Sequence, residues 1–267
     1  MAKKKEAELV YVDKKGKRLD GRSVTDLRPI RLQAGVVPRA DGSCYLEWGQ
    51  NKVIAAVYGP KECLPRHTAS PLKARLNFFY RMATFSVPDR KNPRPGRREI
   101  EISKICGEAL ERAVFMEQFP NTAIEVHVEI LDSNAGTRIA GLTAAAVALA
   151  DAGIPMRGMV AGCTVGKAGG HVMIDVSKDE EDAPDAVDIP MAILSNTNEI
   201  VLLQMDGLLR KDEWEKALPL AMEGCRKVAQ LQEAALKKRF ETAEFLESAQ
   251  SEESDSKTGK MEVEVES

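Results

Sequence analysis

Apolar and polar positions alternate with a period of two in several stretches, the pattern of strands that bury one face. In 72–82 the even positions are Leu72, Ala74, Leu76, Phe78, Tyr80 and Met82, while Lys73, Arg75, Asn77 and Arg81 fall on the other face. Ile124, Val126, Val128 and Ile130 form the apolar side of a second strand across 122–131. Three hairpins follow from short polar or glycine-bearing turns. Segments 43–48 and 52–58 flank Gly49-Gln50-Asn51, segments 159–165 and 171–176 flank Lys167-Ala168-Gly169-Gly170, and segments 189–194 and 200–205 flank Ser195-Asn196-Thr197-Asn198. A 3.6-residue period replaces the two-residue one in three places. It predicts a helix from about 98 to 118 (Ile102, Ile105, Cys106, Ala109, Leu110, Ala113 and Val114 on one face), an alanine-rich helix from about 137 to 152, and a long one from 211 to beyond Phe240. Gly153-Ile154-Pro155 stops the second.

No internal repeat and no Pro/Gly/Ser-rich linker interrupts residues 10–240, so the pattern predicts a single α+β domain, a mixed sheet with helices packed on it and a long C-terminal helix. From Glu241 the chain carries nine acids against two lysines, which predicts a disordered acidic tail over 241–267. Residues 1–10 read as a flexible basic N-terminus without the apolar stretch of a secretory signal.

Composition narrows the class. With 43% hydrophobic and 30% charged residues in 267, the chain can bury a sizeable core. Its longest apolar run, 144–150, is far below what a membrane helix needs. Five scattered cysteines without a CxxC pair fit reduced thiols in the cytoplasm rather than a disulfide or zinc framework. The net charge of -3 conceals an asymmetry: residues 1–100 hold 22 Lys+Arg against 10 Asp+Glu, and the densest basic stretch lies at 61–98. A polyanion bound by the first half explains this, and so does neutralisation of one half by the other; charge alone leaves both open.

Candidate chemistry concentrates in two turns that lead into helices. Pro93-Arg94-Pro95-Gly96-Arg97-Arg98-Glu99 opens the first helix and Asn134-Ala135-Gly136-Thr137-Arg138 the second. A helix N-terminus offers unpaired N–H groups and the positive end of a dipole. An arginine fork and a hydroxyl added there suit a phosphate. The acidic stretch 175–190 joins two strands, and Asp188 stands just before an apolar one with Asp182 six residues earlier; such carboxylates can serve as a general acid or a metal ligand. Gly166-Lys167-Ala168 is not a phosphate-binding P-loop, since Ala161 stands where its first glycine belongs. Glu125, His127 and Glu129 share a strand face and read as a polar surface.

Taken in order, Arg18-Leu19-Asp20-Gly21-Arg22, Arg97-Arg98-Glu99-Ile100, Ala135-Gly136-Thr137-Arg138 and the Asp182/Asp188 pair resemble the signatures of the RNase PH family over residues 10–240. Gly59-Pro60-Lys61-Glu62, Pro65-Arg66-His67, Arg90-Lys91-Asn92-Pro93 and 148–156 are most similar to the catalytic ring subunits of archaeal exosomes within it. The resemblance implies 3′-to-5′ phosphorolysis of single-stranded RNA, with inorganic phosphate as co-substrate and nucleoside diphosphates released, reversible to 3′ tailing. It implies that Arg98, Gly136, Thr137 and Arg138 hold phosphate and that Asp182 is the general acid. Asp188 would position phosphate or a divalent cation such as Mg2+, and Arg66, His67 and Arg97 would contact RNA. It further implies a hetero-hexameric ring with a related inactive subunit, fed by RNA-binding cap proteins. A homo-oligomeric enzyme trimming transfer-RNA ends and an inactive RNA-binding ring subunit are the alternatives. Retention of Arg98, Arg138 and Asp182 together speaks against the inactive one.

Overall fold

A computed structural model describes residues 11–13 and 16–263, with side chains described to residue 241. The expected flexible segment 1–10 and the last four residues of the acidic tail lie outside the described residues.

Among the described residues the chain forms two sheets and four α-helices, with helices packed between and outside the sheets. The first sheet has five strands, β1 (Ile30–Ala34), β2 (Gly42–Trp48), β3 (Asn51–Glu62), β4 (Arg75–Met82) and β5 (Thr122–Asp132), in the spatial order β1-β2-β3-β5-β4. All its pairings are antiparallel except β4 with β5, which run parallel because helix α1 (Arg97–Ala113) carries the chain back between them. The second sheet, order β7-β6-β8-β9, is a fully antiparallel set made of β6 (Val160–Ala168), β7 (His171–Ile174), β8 (Val187–Leu194) and β9 (Ile200–Leu203). Helix α2 (Thr137–Asp151) lies between the sheets, short α3 (Lys178–Glu181) joins β7 to β8, and α4 (Lys211–Val263) covers the far side of the second sheet.

The alternation sets the buried faces. Leu76, Phe78 and Tyr80 of β4 and Ile124, Val126, Val128 and Ile130 of β5 all point into the main core, while Arg75, Phe79 and Arg81 stay exposed on the outer face. The outer polar face of β5 is occupied by local contacts: Glu125 accepts from Lys61 at 2.7 Å and His127 stacks on Phe79 with ring centroids 4.8 Å apart.

Helix α2 is buried on nearly every side, which explains its alanines. Ala144, Ala145, Ala146 and Ala148 let both sheets approach, while Ile139, Leu142 and Leu149 fill the gaps. Complete burial of each of these large side chains contributes roughly 1.5–3 kcal/mol over leaving it in water. The approach is closest at Gly42, where a Cβ would stand 2.3 Å from the carbonyl oxygen of Ala148 and 2.3 Å from the amide nitrogen of Ala152.

The sequence reading predicts one mixed sheet and no strand at 30–34, where the chain forms two sheets and β1, and three further elements differ from it. Helix α1 ends at Ala113, because Val114 turns extended to pair with Met156 and the amide of Phe115 donates to the carbonyl of Pro155. The acidic stretch contains α3, whose N-terminus is closed by Ser177 and Glu180 in a capping box. The chain from Glu241, expected to be a disordered tail, continues α4 to Val263; Ala243, Glu244, Leu246, Glu247 and Ala249 are strong helix formers appended to an existing helix. All five cysteines are free and buried, and no helix among the described residues is long and apolar enough to cross a membrane.

Gly42→Ala should lower stability by about 2–3 kcal/mol, read as a shift in the denaturant midpoint without a change in slope. An unshifted midpoint would mean that the helix and the strand are not held this close.

Candidate active site

The first turn of α1 places two cations where a helix ordinarily disfavours them. Arg97 and Arg98 are its first residues, exposed at the positive end of the dipole. The turn is locked beneath them. Glu99 is buried, its Oε2 accepts from the amide of Gly96 at 2.8 Å, and its other oxygen pairs with Lys91. Burial would raise the Glu99 carboxyl, but the hydrogen bonds from Lys91 and the backbone outweigh it and hold the group below its ordinary value.

The start of α2 is built differently. Ala135 and Gly136 are successive left-handed residues (φ +52° and +69°), and no side chain caps the helix. Glycine adopts this conformation freely, whereas Ala135 must be held in it. Thr137 is buried, and its Oγ1 accepts from the phenol of Tyr80 at 2.8 Å. Burial pushes that phenol up to about 12, so Tyr80 keeps its proton and donates, leaving the hydroxyl proton of Thr137 for another acceptor. Arg138 follows, its Nη1 bonded to the Gln204 side-chain oxygen and its Nη2 3.6 Å from Glu101 of α1.

Those contacts bring the two helix starts together around one cavity of about 730 Å³. Arg97, Arg98 and Glu101 of α1 and Arg138 of α2 line it, facing Glu181, Asp188 and Asp206. Asp188 lies on β8 and pairs backbone-to-backbone with Asp206, with amide–carbonyl distances of 2.9 Å in each direction. Burial, then the charge of Glu181, pushes the Asp188 carboxyl up to about 6; Arg138 and Arg98 oppose the rise and Asp206 adds to it. A carboxyl that titrates close to neutrality, beside arginines, can exchange a proton with a bound oxyanion.

Of the residues expected from sequence, Arg97, Arg98, Arg138 and Asp188 line this cavity; Gly136 and Thr137 stand just before Arg138 and do not. Asp182 does not line it either. Its side chain is 63% exposed and accepts from Lys178 at 2.6 Å, because it caps the C-terminal end of α3, and Glu181 occupies the cavity wall in its place. Asp185 has a local duty, accepting from the amides of Gly169 and Gly170 at 2.9 and 2.7 Å to close the β6–β7 turn. Arg66 and His67 form an exposed 3-10 turn outside the cavity, with Arg66 paired to Glu62. The cavity carboxylates do not make a metal site by themselves: no group of three or more His, Cys, Asp or Glu poised around one ion exists among the described residues. Asp188 as a Mg2+ ligand therefore has no supporting set of protein ligands among the described residues.

Sequence reasoning missed Glu101, Gln204 and Asp206 in the cavity. Glu101 had a local signal, lying three residues after Arg98 on the same helix face. It also missed the buried network behind the α2 turn. Asp175, almost fully buried, accepts from Arg28 Nη2 at 2.7 Å, Arg28 Nε at 3.0 Å, the Arg28 amide at 2.6 Å and Trp48 Nε1 at 2.9 Å. The opening signature joins the same network. Arg18 is buried against Glu180 of α3 and donates to the carbonyls of Ile174 and Asp175 at 2.6 and 3.0 Å, and Arg22 donates to the Asp175 carbonyl at 3.2 Å. Its arginines thus set the acidic loop rather than touch the cavity.

The two-sheet fold has known counterparts. Residues 26–155 match domain 1 and residues 158–224 domain 2 of the 3′ exoribonuclease family RNase PH, and the chain belongs to that family. It is 52% identical over 240 residues to exosome complex component Rrp41 of Thermoplasma volcanium, spanning 90% of this chain and 96% of that one. It also resembles Rrp46 of rice (TM-score 0.74, 21% identity, covering 82% of this chain and 100% of that one). A chain of the Archaeoglobus fulgidus exosome with RNA bound to the active site has TM-score 0.69 and 20% identity, covering 81% of this chain and 92% of that one. At these identities the two structures establish the fold alone.

Asp188 sets a pH dependence whose sign follows from its raised value of about 6. Its contribution to stability is fully present below the unfolded value and lost as pH rises through 6. Asp188→Asn should therefore stabilise the protein at about pH 8 by on the order of 1–3 kcal/mol, with the difference vanishing near pH 4. An equal difference at both pH values in denaturant titrations would contradict the assignment.

Proposed function

We propose that the chain is the phosphorolytic subunit of an archaeal-type exosome core, degrading single-stranded RNA from its 3′ end. The observation that carries the reading is the convergence of Arg97, Arg98 and Arg138 on one cavity, in a chain 52% identical to Rrp41. The proposed partners are a related inactive ring subunit in a hetero-hexamer and RNA-binding cap proteins, in the cytoplasm.

In the proposed reaction, Arg98 and Arg138, with the backbone of Gly136 and the hydroxyl of Thr137, hold inorganic phosphate. A phosphate oxygen attacks the phosphorus of the terminal phosphodiester, the bond to the preceding 3′ oxygen breaks, and a nucleoside 5′-diphosphate leaves. The shortened RNA takes a proton on its new 3′ hydroxyl. Positioning and charge neutralisation supply most of the acceleration. A phosphodiester is exchanged for a phosphoanhydride of similar energy, so excess nucleoside diphosphate drives 3′ tailing. Arg97 meets the scissile phosphate, and Arg66 and His67 contact the RNA upstream on their exposed turn.

Asp182 is the proposed donor to the departing oxygen. An incoming RNA phosphate competes for Lys178, its present partner, and frees the carboxyl. Asp188 faces the attacking phosphate. A second reading makes Asp188 the donor, favoured by its place in the cavity and its value near 6, which leaves roughly a tenth of it protonated at pH 7. A Mg2+ ion, if used, would enter with the substrates' own phosphates.

The test is incubation of the chain, alone and with its ring partner, with single-stranded RNA and phosphate, followed by detection of nucleoside diphosphates. Activity is expected only with the partner and only with phosphate. Asp182→Ala should lower turnover on the order of 10²–10⁴-fold with RNA affinity unchanged. Normal turnover in Asp182→Ala together with its loss in Asp188→Asn transfers the role to Asp188. Nucleoside monophosphates released without phosphate would overturn phosphorolysis altogether, and full activity of the lone chain would favour the homo-oligomeric alternative.

A further inference from the structure

We infer that Arg28 is a positioning residue for the α2 turn, holding its backbone in the anion-binding conformation through hydrogen bonds that bear on the phosphate and not on the RNA. This rests on the proposed use of phosphate. Among the described residues, the hydrogen bonds of the Arg28 side chain run to Asp175, Asn134 and Ala135, none of which lines the cavity.

The turn has a conformational problem to solve. Ala135, at φ +52°, carries a Cβ in a region that L-residues avoid, immediately before Gly136 at +69°. Two side chains grip its peptide groups from behind. Arg28 Nη1 donates to the carbonyl of Asn134 and Nη2 to that of Ala135 at 3.4 Å. Asn51, fully buried, donates from Nδ2 to the Ala135 carbonyl at 2.7 Å and accepts from the Asn134 amide on Oδ1. In a trans peptide the N–H points opposite to the C=O. Fixing the carbonyls of Asn134 and Ala135 toward Arg28 therefore turns the N–H groups of Ala135 and Gly136 away from it.

Arg28 can do this because its own position is over-determined. Nε and Nη2 engage the Asp175 carboxylate at 3.0 and 2.7 Å, and the Arg28 amide donates to the same group at 2.6 Å. One planar fork thus spans a buried carboxylate on one side and two backbone carbonyls on the other. Lysine would keep the charge beside Asp175 but has neither the width nor the donor geometry to reach both carbonyls. The space is also matched: a Cβ on Gly136 would sit 3.4 Å from Arg28 Nη2.

The experiment uses the assembled complex with the ring partner and measures steady-state phosphorolysis, RNA affinity and thermal midpoint. Arg28→Lys keeps a cation beside Asp175, so the complex should still fold. It should raise KM for phosphate on the order of ten- to a hundredfold, with a smaller change in kcat and RNA affinity within about twofold. Ala135→Gly in the Arg28→Lys background should recover most of the lost phosphate affinity, because glycine takes the left-handed conformation without help. An unchanged phosphate KM in Arg28→Lys overturns the inference. So does a parallel loss of RNA affinity and thermal midpoint, or a defect that Ala135→Gly leaves untouched. Phosphate dependence of the unsubstituted complex is scored separately: its absence removes the proposed function, whereas its presence with a silent Arg28→Lys removes only the positioning role.

Discussion

The buried carboxylate of Asp175 is the constraint from which the geometry of this protein follows. It sits just past β7 in the second sheet, yet its ligands come from the first: Arg28 ahead of β1 and Trp48 at the end of β2. Burial would raise the group, but the Arg28 charge and the hydrogen bonds around it outweigh that and keep it below the ordinary aspartate value. A buried charge of this kind stabilises only while every partner is present, and removing one typically costs about 3–5 kcal/mol. The network therefore fixes where the two sheets meet. That junction is also where α2 starts and, through Arg18 and Glu180, where the acidic loop begins.

The chemistry of the cavity follows from that placement. Two helices present their positive ends to a common space, and arginines are added at both, so the field favours an anion before any side chain adjusts. The acids opposite do not cancel this field fully. Arg138 is drawn to Glu101 and Gln204 at its edge, while Asp188, buried near Glu181 and Asp206, resists ionisation. Phosphoryl transfer needs little else from a protein, since positioning and electrostatics supply most of the rate.

Much of the fold was legible because it rests on local rules. The two-residue period in 72–82 and 122–131 marked β4 and β5 and their inward faces, although β4 begins only at Arg75 and Leu72 is left exposed; the turns marked the three hairpins, and the alanine run of α2 marked a helix between crowded layers. Short β1 was not read as a strand although Ile30, Leu32 and Ala34 alternate with Arg31 and Gln33, because five residues behind Pro29 carry the two-residue period too briefly to stand out. Helix α3 was hidden by its acids, although Ser177 and Glu180 spell a capping box. The arginine turns were legible as helix starts that carry the wrong charge. The partners of Arg18 and Arg28 were not, since Glu180 and Asp175 lie 162 and 147 residues away in sequence. Nor did the motif spacing reveal that Asp182 turns toward Lys178 while Glu181 faces the cavity.

Direct phosphate binding to the assembled complex, measured by calorimetry in a double-substitution cycle of Arg98→Ala and Arg138→Ala, tests the central claim most closely. If both helix starts grip one ion, each substitution weakens binding by roughly tenfold or more. Their combination then adds much less than the product of the two, because an ion released from one side gains little from the other. Independent, fully additive losses, or phosphate affinity indifferent to either arginine, would mean that the two turns do not share a ligand.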